Sequence, residues 1–136
     1  ASELRSNQIT VQSTATGGTT VTLTGGETLS ADGTTLTLDL TSSDVDSIKK
    51  TDLALTSATT FLSATSDLVA DLAVPANEFV AVAAGSAQAV TTFVADTTKP
   101  KLASHSLDLD EATLTLTFNE PMRASTISRP ITCLTA

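Results

Sequence analysis

The side chains able to do chemistry are few in kind: fifteen carboxylates, one histidine and one cysteine in 136 residues. Calcium takes its ligands from such carboxylates, often where two domains meet. Asp96, Asp108, Asp110 and Glu120 are the candidate metal ligands, because Asp96 lies in a linker-like stretch and the other three border the strands after it. The loop carboxylates Asp67 and Asp71 are further donors able to approach. The competing structural reading is equally concrete. Asp108 and Asp110 alternate with Leu107 and Leu109, a pattern that turns the carboxylates to water on a strand.

Catalysis needs a base within reach of a nucleophile. His105 lies mid-strand between Ser104 and Ser106, with no orienting carboxylate nearer than Asp108, and reads as an ordinary strand histidine. Glu27 and Asp32 flank a turn, where Asp is favoured for its bonds to nearby backbone. The lone Cys133 forbids a disulfide within the chain. With a single histidine it also leaves zinc and Cys/His sites without enough ligands. Cys133 reads as a buried thiol, with pairing to another copy or another segment as the alternative. No glycine-rich loop opens a long helix, so nucleotide binding has no support. The expectation is a protein that is not an enzyme, with no catalytic or cofactor-binding residue and calcium as its one candidate cofactor.

Composition bounds the elements that must position these groups. The apolar fraction is 40%, yet aromatics are 3% and Trp and Tyr are absent. A core must rest on Leu, Val, Ile, Ala and the four Phe. Thr is the commonest residue; it is stiff at χ1 and suits a pleated strand more than a helix. Its hydroxyls also offer sites for O-linked sugar. The net charge of −8 leaves no basic patch to neutralise phosphates, which excludes nucleic acid as a partner. No stretch approaches the roughly 20 apolar residues of a membrane-spanning helix. The chain starts at Ala and not Met, and is read as processed or excised.

Period-two alternation dominates. The strands expected are 8–13 (QITVQS), 19–24 (TTVTLT) after a Gly17-Gly18 turn, and 34–40 (TTLTLDL) after an Asp32-Gly33 turn. A short helix is expected within 41–53, with Ser43 capping the amide of Asp46, Val45 and Ile48 on one face, and Lys49 and Lys50 at the far end. Short strands follow at 59–64, 68–72 and 88–94, with 79–84 extended. The polar stretch 96–100 (DTTKP) marks a boundary. Strands 102–109 and 112–118 then form a hairpin about Asp110-Glu111, and 129–135 closes the chain. Many short strands with one helical turn indicate an all-β, antiparallel sandwich.

The ends resemble each other. Ala1-Ser2 matches Ala124-Ser125 and Ile9-Thr10 matches Ile131-Thr132, giving a period of roughly 122 residues, the size of one domain. The expected organisation is 1–95 as most of one repeat, 96–100 as an inter-repeat linker and 101–136 as the opening strands of the next. The terminal strand is expected to pair with a neighbouring copy.

The run Asp96-Thr-Thr-Lys-Pro100, the segment 113–121 (TLTLTFNEP) and Ala124-Ser125 resemble bacterial-type Ig-like (cadherin-like) repeats of large algal and bacterial cell-surface proteins. Upstream, 38–48 is similar to their strand followed by a Ser-Asp-x-x-x-Ile helical turn, and 67–77 to their D-x-x-G-N loop, with Val74-Pro75 in place of Gly. The resemblance implies an Ig-like β-sandwich in a tandem array, extracellular or on the cell surface. Its role would be that of a structural module of a filament such as a flagellar hair, a sheath or an adhesin. Its partners would be neighbouring copies of the same repeat, as a homopolymer or array. The alternatives are a calcium-dependent adhesion or ligand-binding module and, third, a non-catalytic accessory domain of a secreted enzyme.

Overall fold

The computed structural model describes residues 4–124. The chain divides into two compact units, Ala1–Ala95 and Asp96–Ala136, each with its own antiparallel sheet.

In the first unit β1 (Ile9–Thr14) is central. It pairs with β2 (Gly17–Thr22) on one side and β3 (Phe61–Ala64) on the other; β4 (Gln88–Ala89) adds to β3, giving the order β2-β1-β3-β4. The expected turn at Gly17-Gly18 falls instead at Ala15-Thr16. The two glycines begin β2 with φ of 133° and 80°, and the register slips between Gln12 and Thr14. A two-residue connection followed by a bulge needs left-handed backbone, which only glycine adopts at low cost.

Register sorts the side chains of this sheet. Ile9 and Val11 share a face with Val21, Leu62 and Ala64, while Thr10 and Gln12 share the other with Thr20, Thr22, Phe61 and Ser63. The apolar face is covered at one end. Ile9, Leu23, Ala64 and Leu68 are buried there, with Leu4, Leu38, Ile48, Val69 and Phe79 packed against them. The polar face is a hydroxyl and amide ladder: Thr10 to Thr22 at 2.8 Å, Ser63 to Gln12 at 3.0 Å and Thr65 to Gln8 at 2.6 Å.

The expected strand 34–40 does not form. Only Glu27 and Asp39 exchange backbone bonds, at 3.2 and 2.9 Å. Of its alternating leucines Leu38 alone reaches the core, and Leu36 and Leu40 stay exposed, so alternation found no second surface to bury against. The strand at 68–72 is likewise reduced to one bridge, Ala70 with Glu78, after a 3-10 turn at Ser66–Leu68. The strand at 88–94 stops after two residues, and 79–84 contributes the single bridge Val82 to Ala64.

The helix α1 (Ser42–Lys49) lies where expected, but its cap is Thr41, whose hydroxyl accepts from the Asp44 amide at 3.1 Å. Ile48 carries its packing face to the core.

The second unit is a hairpin of β5 (Leu102–Asp108) and β6 (Thr113–Phe118), close to the expected bounds. The turn spans 109–112, with Ala112 left-handed at φ 52°. The described residues thus hold two antiparallel sheets, six strands and one α-helix. The expected closing strand 129–135 and Cys133 lie outside the described residues, as do Ala1-Ser2, Ser125 and Ile131-Thr132 of the repeat match, whose Ile9-Thr10 begins β1.

Candidate functional site

The four candidate metal ligands are drawn apart by the hairpin register. Asp108 stands opposite Thr113 at the turn end, while Phe118, two residues before Glu120, stands opposite Leu102 at the open end. Seven residues of strand separate the two ends by about 20 Å, far beyond the roughly 2.5 Å reach of one calcium ion's ligands. Two of the carboxylates serve the local backbone. Asp96 accepts from the Thr98 amide at 2.9 Å, and Asp108 from the Glu111 amide at 2.9 Å. Asp110 lies in the turn between. Among the described residues no three His, Cys, Asp or Glu side chains come together in a way that would hold a metal ion.

Asp67 sits exposed in its 3-10 turn. Asp71 closes the loop after it: Oδ1 accepts from the amides of Ala73 and Asn77 at 3.0 and 2.8 Å, and Oδ2 from Asn77 Nδ2 at 2.8 Å. Those donors, the Asn77 amide foremost, hold the Asp71 carboxyl below its ordinary value. His105 stands opposite Leu116 on an exposed strand.

The most constrained carboxylate is one the sequence placed only in the first turn of α1. Asp44 is 1% exposed. It occupies the third helical position after Thr41, where a side chain commonly reaches back to the cap. Here it reaches outward to the end of β2. Thr24 donates its amide to both oxygens at 3.0 Å and its hydroxyl to Oδ1 at 2.8 Å, and the Gly25 amide adds a contact at 3.3 Å. Burial pushes this carboxyl up, but the Thr24 hydroxyl and amide, with Thr41 and Gly25, outweigh it and leave the group below its ordinary value. The spacing Thr41-Ser-Ser-Asp44 could have shown Asp44 as the third helical residue after its cap, which assigning the cap to Ser43 obscured; it held no sign of the reach to Thr24. Gln12 carried no such signal. It is fully buried, donates to the carbonyls of Thr14 and Ala84 at 2.8 Å each, and accepts from Ser63.

Surface depressions mark the first unit. One of about 550 Å³ is walled by Leu4, Leu36, Val69 and Leu72 with Asp32 and Asp71 at its rim. Another of about 420 Å³ lies on the polar ladder, between Gln8, Thr10, Ser63 and Thr65 and the 81–84 segment. The third, of about 350 Å³, crosses the uncovered end of the apolar face. It is lined by Val11, Phe61, Leu62 and Val90 with Thr60 and Gln88, and holds no charged side chain.

The second unit offers a face. Leu114, Leu116 and Phe118 line one side of β6, and their cross-strand partners Leu107, His105 and Leu102 extend it across β5. The four leucines are between 43% and 63% exposed. No helix among the described residues is long and apolar enough to cross a membrane. No protein-family model, no curated protein and no solved structure matches the chain.

Proposed function

We propose that the chain is a structural module of an extracellular filament, sheath or adhesin, built from Ig-like β-sandwich repeats joined in tandem through 96–100. The carrying observation is the second unit. A sheet with one apolar face must bury it against another layer, and a two-stranded hairpin is marginal by itself in water. Within its own unit the β5–β6 face has no second layer among the described residues. Such an element is one half of a packing arrangement, as expected of a module chained to its like. The hydroxyl ladder and the Thr-rich exposed strands favour the same reading, since they give strands a wet face without charge. The resemblance of 96–125 to surface repeats supplies the extracellular setting.

Two measurements test this. Proteins of two, four and eight tandem copies viewed by negative-stain electron microscopy are expected to form strings whose length grows by a constant step per copy; compact particles would overturn the tandem reading. An antibody to the module should label intact source cells, and labelling seen only after permeabilisation would overturn the location.

A further inference from the structure

Asp32 is the one aspartate of the chain that glycine follows. An aspartyl carboxyl carbon can close a five-membered ring with the amide nitrogen of the next residue. Intramolecular attack of this kind needs only approach and alignment, so the surroundings decide whether it happens. Here they leave the way open. Gly33 has no side chain to shield its amide, and even a Cβ built on it would meet nothing nearer than the Ala31 carbonyl oxygen at 3.9 Å. Both residues are exposed. Among the described residues neither the Asp32 carboxylate nor the Gly33 amide has a hydrogen-bond partner, so no native contact must break for the two to meet.

The loop isolates this pair at its tip. Glu27 and Asp39 close the base by exchanging backbone bonds at 3.2 and 2.9 Å, and Ser30 Oγ accepts from the Thr37 amide at 2.8 Å. Between these ties no backbone hydrogen bond holds residues 31–36 to the described part of the unit. The other aspartates stand in contrast. The carboxylates of Asp71, Asp96 and Asp108 are engaged by amides two or three residues on, and that of Asp44 by Thr24. Asp46 precedes the small Ser47, but that amide lies inside α1 and is committed to the helix. Asp39, Asp52 and Asp67 precede leucine, and Asp110 precedes Glu111, whose amide is bonded to Asp108.

We infer that Asp32–Gly33 is a site of spontaneous backbone isomerisation, where aspartate becomes isoaspartate in the folded protein without an enzyme. The Asp32 carboxylate takes a proton from solvent, and the Gly33 nitrogen attacks its Cγ. A C–N bond forms, the nitrogen gives up its proton, and the carboxyl hydroxyl leaves with it as water. Water then adds to one of the two carbonyls of the cyclic imide. Opening at Cγ restores aspartate. Opening at the main-chain carbonyl carbon of Asp32 breaks the original peptide bond, leaves the chain running through Cβ and Cγ, and returns the proton to solvent. Mass and net charge are unchanged, and no oxidant or reductant takes part. The main chain gains one methylene, and the carboxylate now sits directly on Cα. The loop tip absorbs that methylene between its two ties, because exposed tips of this kind tolerate insertion. What changes is the rim of the 550 Å³ depression, to which Asp32, Gly33 and Thr34 belong. Isomerisation at this pair does not depend on the chain being a filament module.

Ageing the full chain at neutral pH and 37 °C for several weeks tests it, with peptide mapping by electron-transfer fragmentation, which separates aspartate from isoaspartate. Isoaspartate is expected to accumulate at residue 32 at least fivefold faster than at Asp46 or any other aspartate, and within fivefold of the rate in a synthetic peptide of residues 28–37. Hydroxylamine should trap the imide at residue 32 as a hydroxamate. Gly33→Ala, which the open surroundings accommodate, should slow the reaction at least fivefold at unchanged Tm. Aged protein should melt within a few degrees of fresh protein. A folded chain more than fivefold slower than the peptide overturns the inference, since the loop would then protect the pair. Gly33→Ala protein that isomerises at the wild-type rate overturns it too, and a Tm that falls in step with isoaspartate content overturns the claim that the tip absorbs the change.

Discussion

Replacing Gln12 by Leu tests whether polar side chains carry the packing of the first unit. The two side chains are close in size, so the cost is one of hydrogen bonds and not of volume. Gln12 is fully buried at the centre of the sheet and satisfies three groups: the Thr14 and Ala84 carbonyls at 2.8 Å and the Ser63 hydroxyl at 3.0 Å. Ser63 is itself buried, so its orphaned hydroxyl costs about 1–3 kcal/mol. The two carbonyls lie nearer the surface and recover part of their bonding from water, at about 0.5–1 kcal/mol each. The leucine gains roughly 1 kcal/mol of apolar burial in return. The net loss is about 1–4 kcal/mol, which in a unit of this size lowers Tm by roughly 5–30 °C. Urea and thermal unfolding followed by circular dichroism measure it. Adding Ser63→Ala removes the orphan, and the double variant should recover about 1 kcal/mol relative to additivity. A Gln12→Leu protein within about 0.5 kcal/mol of wild type, the range of ordinary surface changes, would refute the reasoning.

The other predictions follow from single contacts. Gly26 sits at φ +122°, and a Cβ there would stand 2.6 Å from the Asp39 carbonyl oxygen; Gly26→Ala is expected to cost about 2–4 kcal/mol in urea unfolding, through clash and strained backbone together. Asp44 is held below its ordinary value of 3.8 in the folded state, so its contribution is complete above that value and is lost as pH falls through the lower folded one. Thermal melts between pH 7 and 2 should therefore fall in the acid range for the wild type, and Asp44→Asn should have a lower Tm at pH 7 and a shallower acid slope; parallel slopes would contradict the clamp. Millimolar calcium should leave Tm unchanged, because Asp108 and Glu120 stand at opposite ends of the hairpin; a rise of several degrees, reversed by chelator, would show a site that the register does not explain.

Strands were legible where alternation had a pairing partner close in sequence. Residues 8–13 and 102–118 announced themselves because each apolar series meets another across a short turn. The same alternation in 34–40 misled, since Leu36 and Leu40 stayed exposed and only Leu38 entered the core. Period-two patterning reports what a segment can do on a sheet, and long-range pairing decides whether it joins one. The candidate site was less legible for a related reason. Carboxylates at 96, 108, 110 and 120 look clustered along the sequence, yet a hairpin separates its ends by the length of its strands. Conversely, Asp44 and Thr24 lie twenty residues apart, and nothing local tells that the carboxylate turns toward β2 and not back to its own cap.

The near absence of aromatics explains why these polar contacts matter. Among the described residues the largest side chains buried almost completely are Leu53, Gln12 and Asp44, so two of the three are polar. Aliphatic side chains of medium size bury less area than Phe or Trp and leave packing that tolerates shifts of register. A buried amide or carboxylate tolerates none, because each misplacement leaves an acceptor or donor without a partner in a dry site. Gln12 ties β1 to β3 and to the 84–87 segment; Asp44 ties α1 to the end of β2; Asp71 closes the 71–77 loop. Each bond fixes a register or a docking angle that Thr- and Ala-rich strands would otherwise leave soft. The polarity of these ties has a further consequence. With the polar face of the sheet stitched by hydroxyls and amides, and the covered end of the other face filled by Ile9, Leu23 and Leu68, the apolar surface around Val11 and Leu62 is not needed to hold the unit together. Substitutions there should leave Tm within a few degrees, whereas substitutions at the three polar ties should lower it.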